Sequence, residues 1–219
     1  MSVNRLMMPE TYPKIRRLPM RYVPSSKRDT VMPKEIVKEL FDQEVLIEEK
    51  MDGKVTRFDT KKGMLRIFCE DLKHVHSIRY RIPARFAVFD IFDTSRMMFL
   101  SDDEMDDTFS AISRGIVKVH GPDGSNFFKI PVLAKGRFSM QDVPQFIEFS
   151  HYAIEKDSIM PAWMEGVVIK PSRLLLLPEL QRYGAKLVRK EFVKGITDNY
   201  HDRPTELNEI NPIFAIRQQ

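Results

Sequence analysis

The chain has 219 residues, 42% hydrophobic and 30% charged, which excludes a disordered or low-complexity protein and allows a real buried core. Thirty-five basic residues against 31 acidic ones leave a formal net charge of only +4. A polyanionic partner must therefore be met by local clusters of cations rather than by the whole surface. The single cysteine, Cys69, excludes an intramolecular disulfide framework and fits a reducing compartment; within its apolar run it reads as a buried, inert thiol. No apolar stretch reaches the length of a membrane span and the start lacks a signal-peptide core, so a soluble, cytoplasmic protein is expected.

Residues 1–33 carry Pro13, Pro19 and Pro24 among Tyr12, Lys14, Arg16, Arg17 and the basic run 25–28. This reads as an extended arm over the domain surface, its cations either touching phosphates or simply solvated. Residues 33–41 have helical spacing, with Ile36, Val37, Leu40 and Phe41 on one side and Pro33 in the first turn. The run from Val45 then reads as a buried strand, and Asp52-Gly53 as a turn leaving it. Lys50 thus sits at a strand end, held rigidly. A lysine so placed becomes a nucleophile when neighbouring charge or desolvation lowers its pKa. Taken alone, the stretch could equally be a hairpin turn with surface charges.

Strands follow at 55–58 and 64–69 around a Lys61-Lys62-Gly63 turn, with Glu70 and Asp71 directly after the second. His74 and His76 lie two apart, but with no cysteine and no third histidine nearby a zinc site is not expected. Residues 85–93 form another apolar strand closed by acids; 102–115 have weak helical periodicity; 121–125 are a turn and 130–133 a short strand. A helix is expected at 143–154, with Phe146, Ile147 and Phe149 among its apolar positions. Trp163 reads as core or pocket wall, 165–170 as a glycine-led strand ending in Lys170, the leucines at 174–177 as packing, and 185–189 as the last strand. Strands with interspersed helices and no regular alternation argue an α+β fold, antiparallel sheets flanked by helices, rather than a doubly wound parallel sheet. The expected division is an arm (1–33), a main domain (34–198) and a polar tail (199–219).

Lys50, Asp52, Glu70, Asp90, Glu165, Lys170 and Lys186 each border an apolar segment. Charges that cap core strands converge at one mouth of a sheet, where pockets form. Lysines and carboxylates gathered there suit attack by an amine on the α-phosphate of a nucleotide. The carboxylates would hold a divalent metal and the other lysines would neutralise the phosphates.

The ordered segments EKMDG (49–53), FCEDL (68–72), FAVFDIFD (86–93), EGVVIK (165–170) and AKLVRKEF (185–192) resemble the covalent nucleotidyltransferase superfamily, the polynucleotide ligases and mRNA-capping guanylyltransferases. Within it the chain is most similar to short ATP-dependent RNA ligases. These begin with a Tyr-Pro-Lys-like segment, as at Tyr12-Pro13-Lys14, and carry counterparts of Glu70-Asp71-Leu72 and His76-Ser77-Ile78. A lone Lys-x-Asp-Gly is a weak signal; five segments in order, spanning 12–197, are a specific one.

The resemblance implies a nucleotidyltransferase (ligase adenylylation) fold, without an OB-fold module, in which Lys50 attacks ATP and becomes a lysyl-adenylate. Asp52 and Gly53 would shape the turn and its nucleotide contacts. Glu49 would face the adenine amino group, although strand alternation puts Glu48, not Glu49, on the side of Lys50. Glu70 would bind the ribose hydroxyls and Phe89 would stack on the base, with Phe86 and Phe92 as competitors. Asp90 and Glu165 would serve a divalent metal, Mg2+ or Mn2+; Lys170 and Lys186 would meet the nucleotide, Lys186 at the α-phosphate.

Two departures stand out. Many relatives have Lys-x-Lys where this chain has Lys186 and Val188, leaving Arg189 or Lys190 to substitute. Relatives also carry an arginine for the phosphate or the RNA 3′ end in a longer segment after the nucleophile, which leaves Arg57 or Arg66 here. The implied activity is joining of RNA 5′-phosphate and 3′-hydroxyl ends, at nicks or in single strands, by a monomer acting alone or with end-healing enzymes. The alternatives are an adenylylating or RNA-binding protein that has lost strand joining, and a related DNA ligase or capping-type transferase.

Overall fold

A computed structural model describes residues 8–20, 30–155, 160–195 and 206–211. Pro24 and residues 25–28 of the expected arm, and 199–205 and 212–219 of the expected tail, lie outside the described residues. The elements run β1 (Arg16–Arg17), α1 (Lys34–Phe41), β2 (Val45–Lys50), β3 (Lys54–Asp59), β4 (Leu65–Asp71), β5 (Arg79–Ile82), β6 (Phe86–Asp93) and β7 (Met98–Phe99). Next come α2 (Asp102–Ser113), β8 (Phe127–Lys129), β9 (Val132–Gly136), β10 (Phe149–Ile154), β11 (Pro161–Trp163) and β12 (Gly166–Pro171). The chain closes with β13 (Leu175–Leu176), α3 (Leu177–Tyr183), β14 (Ala185–Val188), α4 (Lys190–Gly195) and β15 (Glu209–Ile210).

Three sheets result, ordered β1-β14-β12-β2-β9, β11-β10-β5-β15 and β13-β7-β6-β4-β3, with β8 on β6. The mixed α+β class stands, but the sheets are not purely antiparallel: β1 on β14, β15 on β5 and β8 on β6 run parallel.

The two-residue period of β2 positions the chemistry. Val45 and Ile47 pack with Val167, Ile169, Ala185 and Leu187 against Ile36, Val37 and Leu40 of α1. The intervening residues Glu48 and Lys50 must then face the other way. Glu48 lies opposite Val168, which lies opposite Lys186; Lys50 lies opposite Gly166. Strands β2 and β14, on either side of β12, thus deliver Glu48, Lys50 and Lys186 to one face of one sheet. Gly166 permits this closeness, because a Cβ there would stand 2.1 Å from the Leu187 carbonyl oxygen.

Several expectations need correction. The strand expected at 130–133 begins only at Val132, in β9, while Ile130 and Pro131 link it to β8, since proline offers no N–H to a ladder. The helix at 143–154 is a short 3-10 segment, Met140–Phe146, containing Pro144, followed by strand β10. In β10 Phe149 and His151 are exposed while Ser150 and Tyr152 are buried, a period of two that the pairings with β11 and β5 exploit. Leu177 opens helix α3, with Pro178 in its first turn.

The N-terminal arm packs on the domain as part of its sheet and core. β1 extends the first sheet, Arg17 and Leu18 are buried, and Met32 joins the core. The tail is not separate, because β15 pairs with β5, and Asn208 accepts from the Tyr80 N–H at 2.7 Å while its amide donates to the Leu72 carbonyl at 2.8 Å. Among the described residues no helix is long and apolar enough to cross a membrane.

Candidate active site

A cavity of about 1260 Å³ opens between the first and third sheets and the N-terminal segment. That exceeds a typical small-ligand pocket of several hundred Å³. Lys50, Glu48 and Lys186 line it from the first sheet, Glu70 and Phe89 from β4 and β6, and residues 9–16, including Glu10, Tyr12, Lys14 and Arg16, from the N-terminal segment. Of the expected nucleotide residues, Lys50, Glu70, Phe89 and Lys186 are therefore on one wall system.

Lys50 Nζ lies 2.7 Å from Glu165 Oε2. Burial works to lower its pKa, but the carboxylates of Glu165, Glu70 and Asp52 outweigh it and hold the ammonium above the ordinary lysine value. The condition of a lowered pKa is thus not met in the free protein, because acids surround the amine. Burial in turn raises the Glu165 pKa, partly offset by Lys50.

Glu70 is the most exposed to correction by a ligand. Its Oε2 is buried with no hydrogen-bond partner, and burial pushes its pKa up to about 8. A desolvated acid without a partner is costly and marks a place built for something else to bind. Phe89 presents its ring at the cavity wall, braced edge-on by Tyr12 with centroids 4.7 Å apart. Phe86 and Phe92, the competitors, are buried in separate core clusters.

Asp52 and Gly53 shape the turn rather than line the cavity. The Asp52 carboxylate accepts from the Ser77 N–H at 2.7 Å and its own N–H donates to the Tyr80 hydroxyl at 2.9 Å. A Cβ on Gly53 would meet Leu72 Cδ2 at 2.8 Å and the Asp71 oxygen at 2.9 Å, so the turn can pack against β4 only with glycine.

Four other expected residues are placed elsewhere. Glu49 points to the opposite face from Lys50, fully buried, where it accepts from the Ser150 hydroxyl and from His151. Strand alternation, not proximity in sequence, decides this. Arg57 leaves the cavity to bind the Glu10 carboxylate at 2.8 Å, and Arg66 reaches the Pro9 carbonyl at 3.0 Å and Glu10. Lys170 is buried beneath the floor, 2.8 Å from Asp90, 2.9 Å from Glu48 and 2.7 Å from the Phe89 carbonyl oxygen.

Asp90 belongs to the same network, accepting from Lys170 and from the Tyr12 hydroxyl. Between its two carboxylates Lys170 is held firmly charged, its pKa raised although burial opposes it. This network sets the height of Phe89 and ties Tyr12 under the cavity. Nothing in the sequence marks Tyr12 and Glu48 as members of this network; Tyr12 is 78 residues from its partner, and no local pattern reports such a pairing. Val188 is buried, and Arg189 donates from Nε to the Met164 carbonyl at 2.6 Å.

Among the described residues no group of three His, Cys, Asp or Glu side chains could hold a metal alone. A magnesium-type ion needs only one or two carboxylates when phosphates supply the rest.

The RNA ligase family model matches residues 59–188, more than half of the chain. The chain belongs to the RNA ligase family. Glu70, Phe89, Asp90, Glu165, Lys170 and Lys186 fall within the matched span, and Lys50 precedes it.

Solved structures of Naegleria gruberi RNA ligase share the fold. A mutant with ATP and Mn aligns at TM-score 0.50 and 12% identity over 86% of this chain and 62% of that one. The form with PPi aligns at 0.50 and 13% identity, covering 88% and 63%. This RNA ligase family member thus spans under two thirds of the neighbour's length. The search of curated proteins found no match.

Proposed function

We propose that this RNA ligase family member is an ATP-dependent RNA ligase with a nucleotidyltransferase (adenylylation) fold. The supporting observation is the Lys50–Glu165 pair at 2.7 Å at a cavity that also holds Glu70, whose Oε2 has no hydrogen-bond partner, the Phe89 ring and Lys186. Deprotonated Lys50 Nζ attacks the α-phosphorus of ATP, forming a phosphoramidate as pyrophosphate leaves. Glu165 takes up the proton that Nζ gives away, and Lys186 neutralises the α-phosphate. Glu70 accepts from the ribose hydroxyls, and Phe89 stacks on adenine with Tyr12 fixing its angle. The AMP then passes to an RNA 5′-phosphate, which frees Lys50, and a 3′-hydroxyl displaces AMP to join the ends.

Glu165 is the residue that would hold a divalent metal, magnesium or manganese, together with the nucleotide phosphates; the metal would neutralise charge on those phosphates.

A sealing assay on nicked RNA, nicked DNA and open single strands tests the proposal. Joined RNA, lost in Lys50→Ala, is expected; no joining of any RNA substrate would contradict it. A second reading keeps adenylylation and drops strand joining. It is favoured by the capture of both Arg57 and Arg66 by Glu10, which leaves neither at the cavity.

A further inference from the structure

Phe149 and Trp163 stand in solvent where the sequence suggests core. They are cross-strand partners in β10 and β11, their ring centroids 5.0 Å apart with 36° between planes, and they are 54% and 46% exposed. Aromatic side chains of this size are normally used to bury area, so an exposed pair invites a planar, apolar ligand.

The pair is fastened to the active site at both ends. Met164 N–H donates to the Glu148 carbonyl at 3.1 Å, and Ser150 and His151 bind the carboxylate of Glu49, the residue before Lys50. Two residues beyond Trp163, Glu165 holds Lys50. A cation sits alongside: the Arg189 N–H donates to the Glu165 carbonyl at 3.0 Å, and its Nε donates to the Met164 carbonyl at 2.6 Å. Among the described residues no carboxylate neutralises that guanidinium.

We propose that Phe149 and Trp163 form a base-stacking platform for a single-stranded stretch of the RNA substrate, with Arg189 meeting the phosphodiester beside it. This rests on the RNA ligase reading above. Bases stack on exposed aromatic faces whatever their sequence, and a guanidinium that no described carboxylate neutralises complements the backbone they hang from. An apolar protein partner would have no use for that charge. The platform accounts for a binding surface that the adenylylation site itself does not supply.

Trp163 is the only tryptophan, so its emission reports on the platform directly. A short single-stranded RNA oligonucleotide, titrated into the full chain, is expected to quench that emission as it binds. By anisotropy of labelled RNA, Phe149→Ala and Trp163→Ala each weaken binding about tenfold, the scale of one lost base–aromatic stack. Trp163→Phe retains most of the affinity, and Arg189→Gln flattens the dependence of log affinity on log salt by about one. Thermal unfolding of each variant establishes that it is folded. RNA binding that leaves the emission unchanged, or folded alanine variants that bind as the wild type does, would overturn the platform. Adduct formation with ATP is read separately on the wild-type chain. Loss of the adduct with RNA quenching retained would remove the adenylylation step and leave the platform standing.

Discussion

Lys50 is kept as an ammonium by the acids around it, and this has a kinetic consequence. Its folded-state pKa lies above the ordinary lysine value, so near neutral pH the free amine is scarce and its fraction rises about tenfold per pH unit. The rate of the first step, measured by quench with ATP in single turnover, is expected to climb steadily from pH 6 to 9. A flat profile would mean that proton loss from Lys50 does not limit the step. Glu70 gives a second test, on stability. Its pKa is raised from 4.5 to about 8, so across that window the folded state keeps a proton that the unfolded state has lost. Its contribution to stability therefore falls as pH rises through the window. Glu70→Gln should raise the melting temperature at pH 8 by more than at pH 4.5, while weakening ATP binding; an unchanged melting temperature at both would contradict the burial. At this scale the sequence disclosed residue types well and directions poorly. Lys50, Glu70, Phe89 and Lys186 reach the cavity, whereas Glu49 is turned away by the strand period and Arg57 is drawn off by Glu10.

The elements matter through how closely they approach. Gly166 lies between β2 and β14 where any Cβ would collide with the Leu187 backbone. Gly166→Ala should force the two strands apart, lower stability by ~1–3 kcal/mol in denaturant melts and separate Lys50 from Lys186, lowering adenylylation further than stability alone explains. Lys170 acts at the same scale. Lys170→Met leaves the buried carboxylates of Asp90 and Glu48 facing each other without a cation, and should cost ~3–5 kcal/mol. A small loss in chemical denaturation would show that water enters the network. Apolar runs such as those of β2, β6 and β12 were plain in the sequence because burial on both faces demands them. β10 was not, since its aromatic spacing fits a helix as well as a strand and only its partners β5 and β11 decide.

For the whole molecule, the N-terminal segment is a wall of the cavity rather than an accessory. Tyr12 hydrogen-bonds beneath Phe89, Glu10 clamps Arg57 and Arg66, and β1 continues the sheet that carries Lys186. These contacts bridge 47 residues or more, so no local pattern in the segment reports them. The ordered motifs lie on strands β2, β4, β6, β12 and β14 or at their ends, and the sheets bring Lys50, Glu70, Phe89 and Lys186 to one cavity. The central claim is that Lys50 takes AMP from ATP. Intact-mass spectrometry of the purified chain after incubation with ATP and a divalent metal, followed by peptide mapping, tests it most directly. An AMP adduct on Lys50, absent in Lys50→Ala, is the predicted result; no adduct at any pH from 6 to 9, or an adduct on another lysine, would contradict it.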